Sequence, residues 1–352
     1  MSDREIHLCG SIPLADAEEV FVTVADKLGG AVKRIPDGET GERLTWIRWQ
    51  DHVFRDHPQL EPVPSEGDYR NATAIVGGKS IAHTTWWRIK EGVSPDTLNM
   101  RPFGYAECAI ESFRTFDGLQ ESGRIAADAR FLIAVPSPFN VLNSAIAPHD
   151  RIRVEPSYVA CMMREIEEVA AALPHDRIAW QWDNAHDMQA FDGARQCYFP
   201  FHLDGIAERL VECGDAIPPG VEMGYHFCYG SFGGRHFVEP RDAGAMVDLA
   251  NRLAAGVARS IDWIHMPVPV ERDDDAYFEP LRDLALKPDT KLFLGLIHDS
   301  DGVEGTRRRM ATADKYVGGY GIATECGFGR RPADTVGPLL DIHAALAGAS
   351  TQ

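Results

Sequence analysis

The sequence predicts an α/β fold of the (β/α)8, or TIM-barrel, type, with an insertion after the second βα unit. Three observations carry this. β-rich runs alternate with amphipathic helical runs eight times along 352 residues. The first turn lacks the Gly-rich fingerprint that a doubly wound open sheet would carry. No linker divides the chain, so residues 1–352 are expected to form one barrel domain.

In order, the first strand is expected over 5–13, EIHLCGSIP. A helix follows from Asp16, with Val20, Val24 and Leu28 at helical spacing and a stop at Gly29-Gly30. The second strand is expected over 31–39 and its helix over 43–54. Residues 55–105 carry Pro58, Pro62, Pro64, Gly77-Gly78 and Trp86-Trp87 without a period, and read as an irregular insertion. The helix 106–123 rejoins the pattern. Strand 130–138 precedes the helix 155–173, with Pro156 in its first turn. Strands at 177–185, 221–230, 260–269, 291–300 and 320–329 are followed by helices near 202–213 and over 242–257, 276–284, 303–317 and 332–348.

Composition narrows the function. A formal net charge of −18 disfavours nucleic acid or an anionic membrane surface as partner. No signal peptide and no apolar run of membrane-spanning length is visible. Seven scattered cysteines fit a reducing, cytoplasmic setting better than a disulfide framework. A homo-oligomer remains open.

Barrel sites lie at the C-terminal ends of the strands. The polar residues there are Cys9-Gly10-Ser11, Asp37-Gly38-Glu39, Asp183-Asn184, His226 with Cys228, His265, His298-Asp299 and Glu325-Cys326. Each has a bland reading. A cysteine in a strand is usually core, a histidine usually scaffold, and an acid often caps the next helix. The combination points further. His226 and Cys228 are two apart in GYHFCYG, so a strand puts both on one face. The fifth and eighth strands face each other across a barrel mouth, which would bring Cys326 to the same place. One imidazole, two thiolates and one further ligand make an ordinary tetrahedral zinc set, and soft thiolates select zinc over magnesium or calcium.

Across most of its length the chain resembles the catalytic barrel of cobalamin-independent methionine synthase, in the group that includes uroporphyrinogen decarboxylase. Gly10-Ser11-Ile12-Pro13 resembles the Gly-Ser-Phe-Pro opening, whose Ser holds the carboxylate of homocysteine. Asp37-Gly38-Glu39 resembles the segment whose Glu binds the substrate amino group, and Gln181-Trp182-Asp183 the Gln-Ile-Asp that adds an acidic contact. His226-Phe227-Cys228 matches the His-x-Cys zinc pair. Leu296-Ile297-His298-Asp299-Ser300 resembles the strand end whose His is a candidate acid for the leaving group. Glu325-Cys326-Gly327-Phe328 with Arg330 resembles the Asp-Cys-Gly-Leu-Lys-Thr-Arg segment, whose Cys is the last protein zinc ligand. The family's Glu at the end of strand six has no counterpart in Trp263-Ile264-His265-Met266-Pro267, where His265 is the candidate replacement.

The resemblance implies a zinc-dependent alkyl (methyl) transferase that activates a substrate thiol as a zinc-bound thiolate, with a small-molecule thiol and an alkyl donor as partners and a substrate different from the synthase's. His298, Asp183 and Glu39 would be catalytic. Ser11, Asp37, Trp182 and Arg330 would bind substrate. Zn2+ would be held by His226, Cys228, Cys326 and, as the candidate fourth ligand, His265. A zinc-dependent lyase or hydrolase on the same site is the alternative reading, as is a metal-free decarboxylase-like or small-acid-binding barrel. The glycines of residues 230–234 would give the loop after the fifth strand freedom to turn beside the site.

Overall fold

The computed structural model describes residues 4–64, 73–76, 79–82, 85–231 and 236–347. Parts of the insertion and of the 230–234 loop therefore lie outside the described residues. Seven strands form one parallel sheet: β1 (Arg34–Pro36), β6 (Arg130–Pro136), β7 (Ile178–Asn184), β8 (Glu222–Phe227), β9 (Trp263–Pro267), β10 (Lys291–Ile297) and β11 (Gly321–Thr324), in that spatial order. Their sequences are near-continuous apolar runs, as both faces of the sheet are covered. Beneath the C-terminal strand ends, Leu132, Ala179, Trp263 and Phe293 pack into a small buried cluster of their own.

Helices surround the sheet. They are α1 (Ala17–Leu28), α2 (Asp51–Arg55), α3 (Tyr105–Glu121), α4 (Pro138–Ala145), α5 (Arg151–Ala172), α6 (His186–Phe191), α7 (His202–Asp215), α8 (Gly244–Gly256), α9 (Asp275–Phe278), α10 (Gly302–Ala313) and α11 (Val336–Ala347). The start of α1 shows how local sequence fixes them. The Asp16 carboxylate accepts from the Glu19 backbone N–H at 2.9 Å, and the Glu19 carboxylate accepts from the Ala15 N–H at 2.8 Å. None of the described helices is long and apolar enough to cross a membrane. All seven cysteines are free thiols.

The expected first strand is reduced to its start. Ile6 alone bridges in parallel to Val32 on one side and to Ile322 on the other. The helix expected over 43–54 is a 3-10 stretch, Gly41–Gln50, broken at Trp46 (φ 54°, ψ −122°), followed by the short α2. The Trp46 indole N–H donates to Asp183 Oδ2 at 3.2 Å, so a tertiary contact sits where the helix breaks. Helix α5 starts at Arg151, which puts Pro156 one turn further inside than expected. The helix after β9 is only α9, continued as a 3-10 turn over Glu279–Asp283 with Pro280 near its start. Helix α4 was not foreseen; Ser137 caps it and Pro138 opens it. Within 55–105 the chain is more ordered than expected. It forms the antiparallel pairs β2 (Leu60–Pro64) with β5 (Thr85–Ile89), and β3 (Thr73–Val76) with β4 (Lys79–Ala82). Trp87 Nε1 donates to Asp51 and the Ile89 N–H to Asp150, which tie β5 to the helices beside it.

Candidate metal and substrate site

Strand register builds the site. Asp183 on β7, His226 on β8 and His265 on β9 are lateral neighbours in one row at the C-terminal end of the sheet. Equivalent positions of parallel neighbours share a face, so the three side chains point to the same interior. Cys228 follows one residue after β8, and Cys326 two residues after β11.

The donor atoms of His226, Cys228 and Cys326 lie within 4.8 Å of one another. The Cys228 and Cys326 sulfurs are 3.4 Å apart, and Gly230 N–H donates to Cys228 Sγ at 3.2 Å. Two sulfurs on one tetrahedral ion at ~2.3 Å would sit about 3.8 Å apart. The residues therefore fit a thiolate-bound ion after a shift of a few tenths of an ångström. The Cys326 thiol is pushed well up, first by its hydrogen bond with Cys228 and then by burial. A cation would reverse this, since it favours the thiolate.

Cys9, His226 and His265 form a second close group. Its hydrogen bonds define its role. His265 Nε2 lies 3.0 Å from Thr324 O, which only accepts, so Nε2 carries the proton. His265 Nδ1 faces His226 Nδ1 at 2.7 Å. Burial, above all, lowers the pKa of His265 to about 4 and that of His226 well below the usual imidazole range, so both rings are neutral. His265 Nδ1 is then the bare acceptor and His226 Nδ1–H the donor. That leaves His226 Nε2 bare, as a metal ligand requires. Cys9, His226, Cys228 and Cys326 line the cavity described below, and His265 is not among its lining residues.

Gly295 on β10 makes this chain of contacts possible. It sits between β9 and β11, and a Cβ there would meet Thr324 O at 2.8 Å and His265 Nε2 at 3.0 Å. Without a side chain at 295, His265 reaches across the intervening strand to Thr324.

On the other side lies a buried acid pair. Burial raises the Glu39 pKa to about 7, against the opposing hydrogen bond from Ser11 Oγ. Asp183 is raised well above the carboxylate range, first by burial and then by the charge of Glu39. Asp183 accepts from Gln181 Nε2 at 2.8 Å as well as from Trp46. Both Glu39 (φ 50°) and Trp46 have left-handed backbones, a strained conformation for residues with side chains. Gly10 (φ 123°) leaves room for Glu39, since a Cβ there would meet Glu39 Oε1 at 3.2 Å and Ala134 Cβ at 3.1 Å.

The expected substrate residues divide. Ser11, Asp183 and Arg330 line the cavity, with Arg330 Nη1 donating to Leu44 O at 2.6 Å. Asp37 does not line it; it is held by Arg43 and Ser112, each at 2.7 Å, and accepts from the Glu39 N–H. Trp182 faces the helical layer and donates its indole N–H to Cys213 O on α7. His298 is buried with Nε2 donating to Val268 O at 2.8 Å and Nδ1 3.5 Å from Glu325, which Arg331 also holds. Burial lowers the His298 pKa despite Glu325.

The cavity has a volume of about 590 Å³. Trp46, Ile47 and Trp86 supply an apolar wall, and Arg48, Arg151 and Arg195 supply cationic groups that the sequence did not single out. Arg48 and Arg151 lie in segments without a strand-end or motif signature. Only the long-range approach of 41–50 and the start of α5 to the sheet brings them together.

No protein-family model and no curated protein sequence matches the chain. Solved structures do. A B12-independent methionine synthase from Shewanella sp. W3-18-1, in complex with selenomethionine, superposes with a TM-score of 0.62 at 15% identity, over 99% of this chain and 97% of that one. A putative vitamin-B12 independent methionine synthase from Listeria monocytogenes gives 0.58 at 14% identity, over 99% and 98%. A methyltransferase from Methanosarcina mazei gives 0.51 at 8% identity, over 99% and 94%. The chain thus resembles the cobalamin-independent methionine synthase barrel in fold along nearly its whole length.

Proposed function

We propose that the chain is a single (β/α)8 barrel, closed by the segment about Ile6, and that it is a zinc-dependent alkyl (methyl) transferase acting on a small-molecule thiol. The paired bridges of Ile6 to Val32 and Ile322 support the closure. One observation carries the function: His226, Cys228 and Cys326, from opposite ends of the chain's C-terminal half, converge on one cavity with their donor atoms free of any carboxylate in the cluster.

Zinc bound there would hold a substrate sulfur as thiolate near neutral pH, in the position its three protein ligands leave open. The chain's own residues do the rest. His265 fixes the His226 tautomer and orientation. Ser11 and Asp183, with Glu39 behind them on Ser11, form an acidic corner that binds an ammonium group of the substrate, because a cation there offsets the mutual repulsion of the two carboxylates. Trp46 and Trp86 exclude water from the alkyl group. His298 packs against Glu325, the neighbour of Cys326, and would act through it.

Metal analysis tests this. Protein purified without chelators should contain one zinc per chain, and Cys228→Ser and Cys326→Ser should each lose it together with alkyl transfer. Absence of stoichiometric zinc, with both variants unchanged, would reject the reading. A zinc lyase or hydrolase is the second reading, favoured by the missing glutamate beside His265; turnover in the complete absence of a thiol would select it.

A further inference from the structure

The cavity is cationic in a protein of net charge −18. Asp183 is its single carboxylate-bearing lining residue among the described residues, and burial together with the charge of Glu39 favours its neutral form. Against it stand Arg48, Arg151 and Arg330, which line the same cavity; the charge of Arg330 acts on Arg48, and those of Arg48 and Arg151 both act on His186. None of the three makes an ion pair with any described residue, whereas Arg309 and Arg331 elsewhere are fully paired to acids.

The three guanidinium groups are placed rather than solvated. Arg151 is 6% exposed, spends its Nε on Ile146 O at 3.0 Å, and lies 5.6 Å over the ring of Trp86. A guanidinium held near an aromatic face keeps N–H groups for a third party. Arg48 Nη1 is fully buried with no hydrogen-bond partner among the described residues. Among the described residues Arg330 satisfies one N–H, on Leu44 O. Burial lowers the pKa of both Arg48 and Arg151 to about 10, and the charge of Arg330 adds to this at Arg48. Buried, unneutralised cations are costly and persist where something else completes them.

We propose that the wall formed by Arg48, Arg151 and Arg330 binds an oxyanion (carboxylate, sulfonate or phosphate) carried by a reactant of this site. The planar forks suit groups with two or three equivalent oxygens. The charges of Cys326 and Cys228 act on Arg330, while Arg151 lies at the Trp86 end, so an anionic group held chiefly by Arg48 and Arg151 sits away from the sulfurs, with Arg330 on the side toward them. The inference rests on the functional reading in treating the cavity as the reaction site, but its test needs no turnover.

Zinc-replete protein is titrated with sodium phosphate, sulfate and acetate at constant ionic strength set with chloride, and binding is read by calorimetry and thermal shift. The three arms rank the chemistry of the headgroup. At least one anion should bind saturably, and Arg48→Gln and Arg151→Gln should each weaken it tenfold or more. Arg308→Gln, on the exposed face of α10, should bind as the parent does. Should the buried Arg151 variant fail to fold, the half-buried Arg48 variant carries the comparison. Binding no stronger than chloride, or variants that bind like the parent, would overturn the proposal. Zinc content measured on the same samples separates the two readings: anion affinity lost in the arginine variants with zinc intact supports the arginine wall, and saturable anion binding by a parent protein that takes up no zinc when zinc is supplied supports it while rejecting the metal reading.

Discussion

Two neutral imidazoles 2.7 Å apart share one proton, and the carbonyl of Thr324 decides which nitrogen holds it. His265 would therefore act on a metal held by His226 through that residue, as a positioning residue. Replacing it with alanine should leave the fold intact and lower metal affinity about 10–100-fold, as outer-shell partners of ligating histidines generally do. Competition against a chromophoric chelator measures this, and an unchanged affinity would show that His226 needs no relay. Histidine 265 was legible in the sequence as a metal-site residue but not as an orienting one, because strand position does not reveal which ring nitrogen meets which neighbour. Glu39 gives a second residue-scale expectation. Its carboxyl, raised to about 7, takes up a proton as pH falls through that value and loses its attraction for a cation. An amine-bearing thiol should thus bind more weakly below pH 7 than above it, and Glu39→Gln should flatten that dependence. A profile equally steep in the variant would place the titrating group elsewhere.

At the scale of elements, Gly295 is the position where one methyl group would be most disruptive to the site. A Cβ there would also meet Glu325 Cα at 2.8 Å, backbone that cannot rotate away. Gly295→Ala should cost about 1–3 kcal/mol of stability by overpacking. It should also reduce metal loading, because β9 and β11 must separate and His265 loses Thr324. Chemical denaturation with metal analysis on the same sample checks both, and a variant with parental stability and full loading would refute the close approach. The elements themselves were legible where the signal is local. Strands β6, β7, β8 and β10 are apolar runs bounded by turns, and α3, α7 and α8 keep a helical period. It faded where pairing is long-range. Ile6 is held by Val32 and Ile322 rather than by its own neighbours, and the 43–54 helix yields at Trp46 beside Asp183. Arg48 and Arg151 were invisible for the same reason, whereas Arg330 was legible from its place just after Cys326.

For the whole molecule, the proposed ligands would have a mechanical consequence as well as a chemical one. Cys228 and Cys326 are separated by 98 residues, so an ion between them would clamp the end of β8 to the end of β11 across the sheet. The His-x-Cys pair and the late Cys-Gly were readable as motifs, but their meeting depends on the three intervening βα connections from β8 to β11 folding in order. An ion that binds only the folded barrel adds RT ln(1 + [L]/Kd) to its stability, about 2.7 kcal/mol at a hundredfold excess over Kd. Chelation should therefore lower the melting temperature of the parent by a few degrees, and added zinc should restore it. Cys326→Ser should melt near the chelated parent and respond to neither reagent, since half of the clamp is gone. If chelator and zinc leave the parent's melting temperature unmoved, the two sulfurs are packed thiols, and the convergence of β8 and β11 is a property of the core alone.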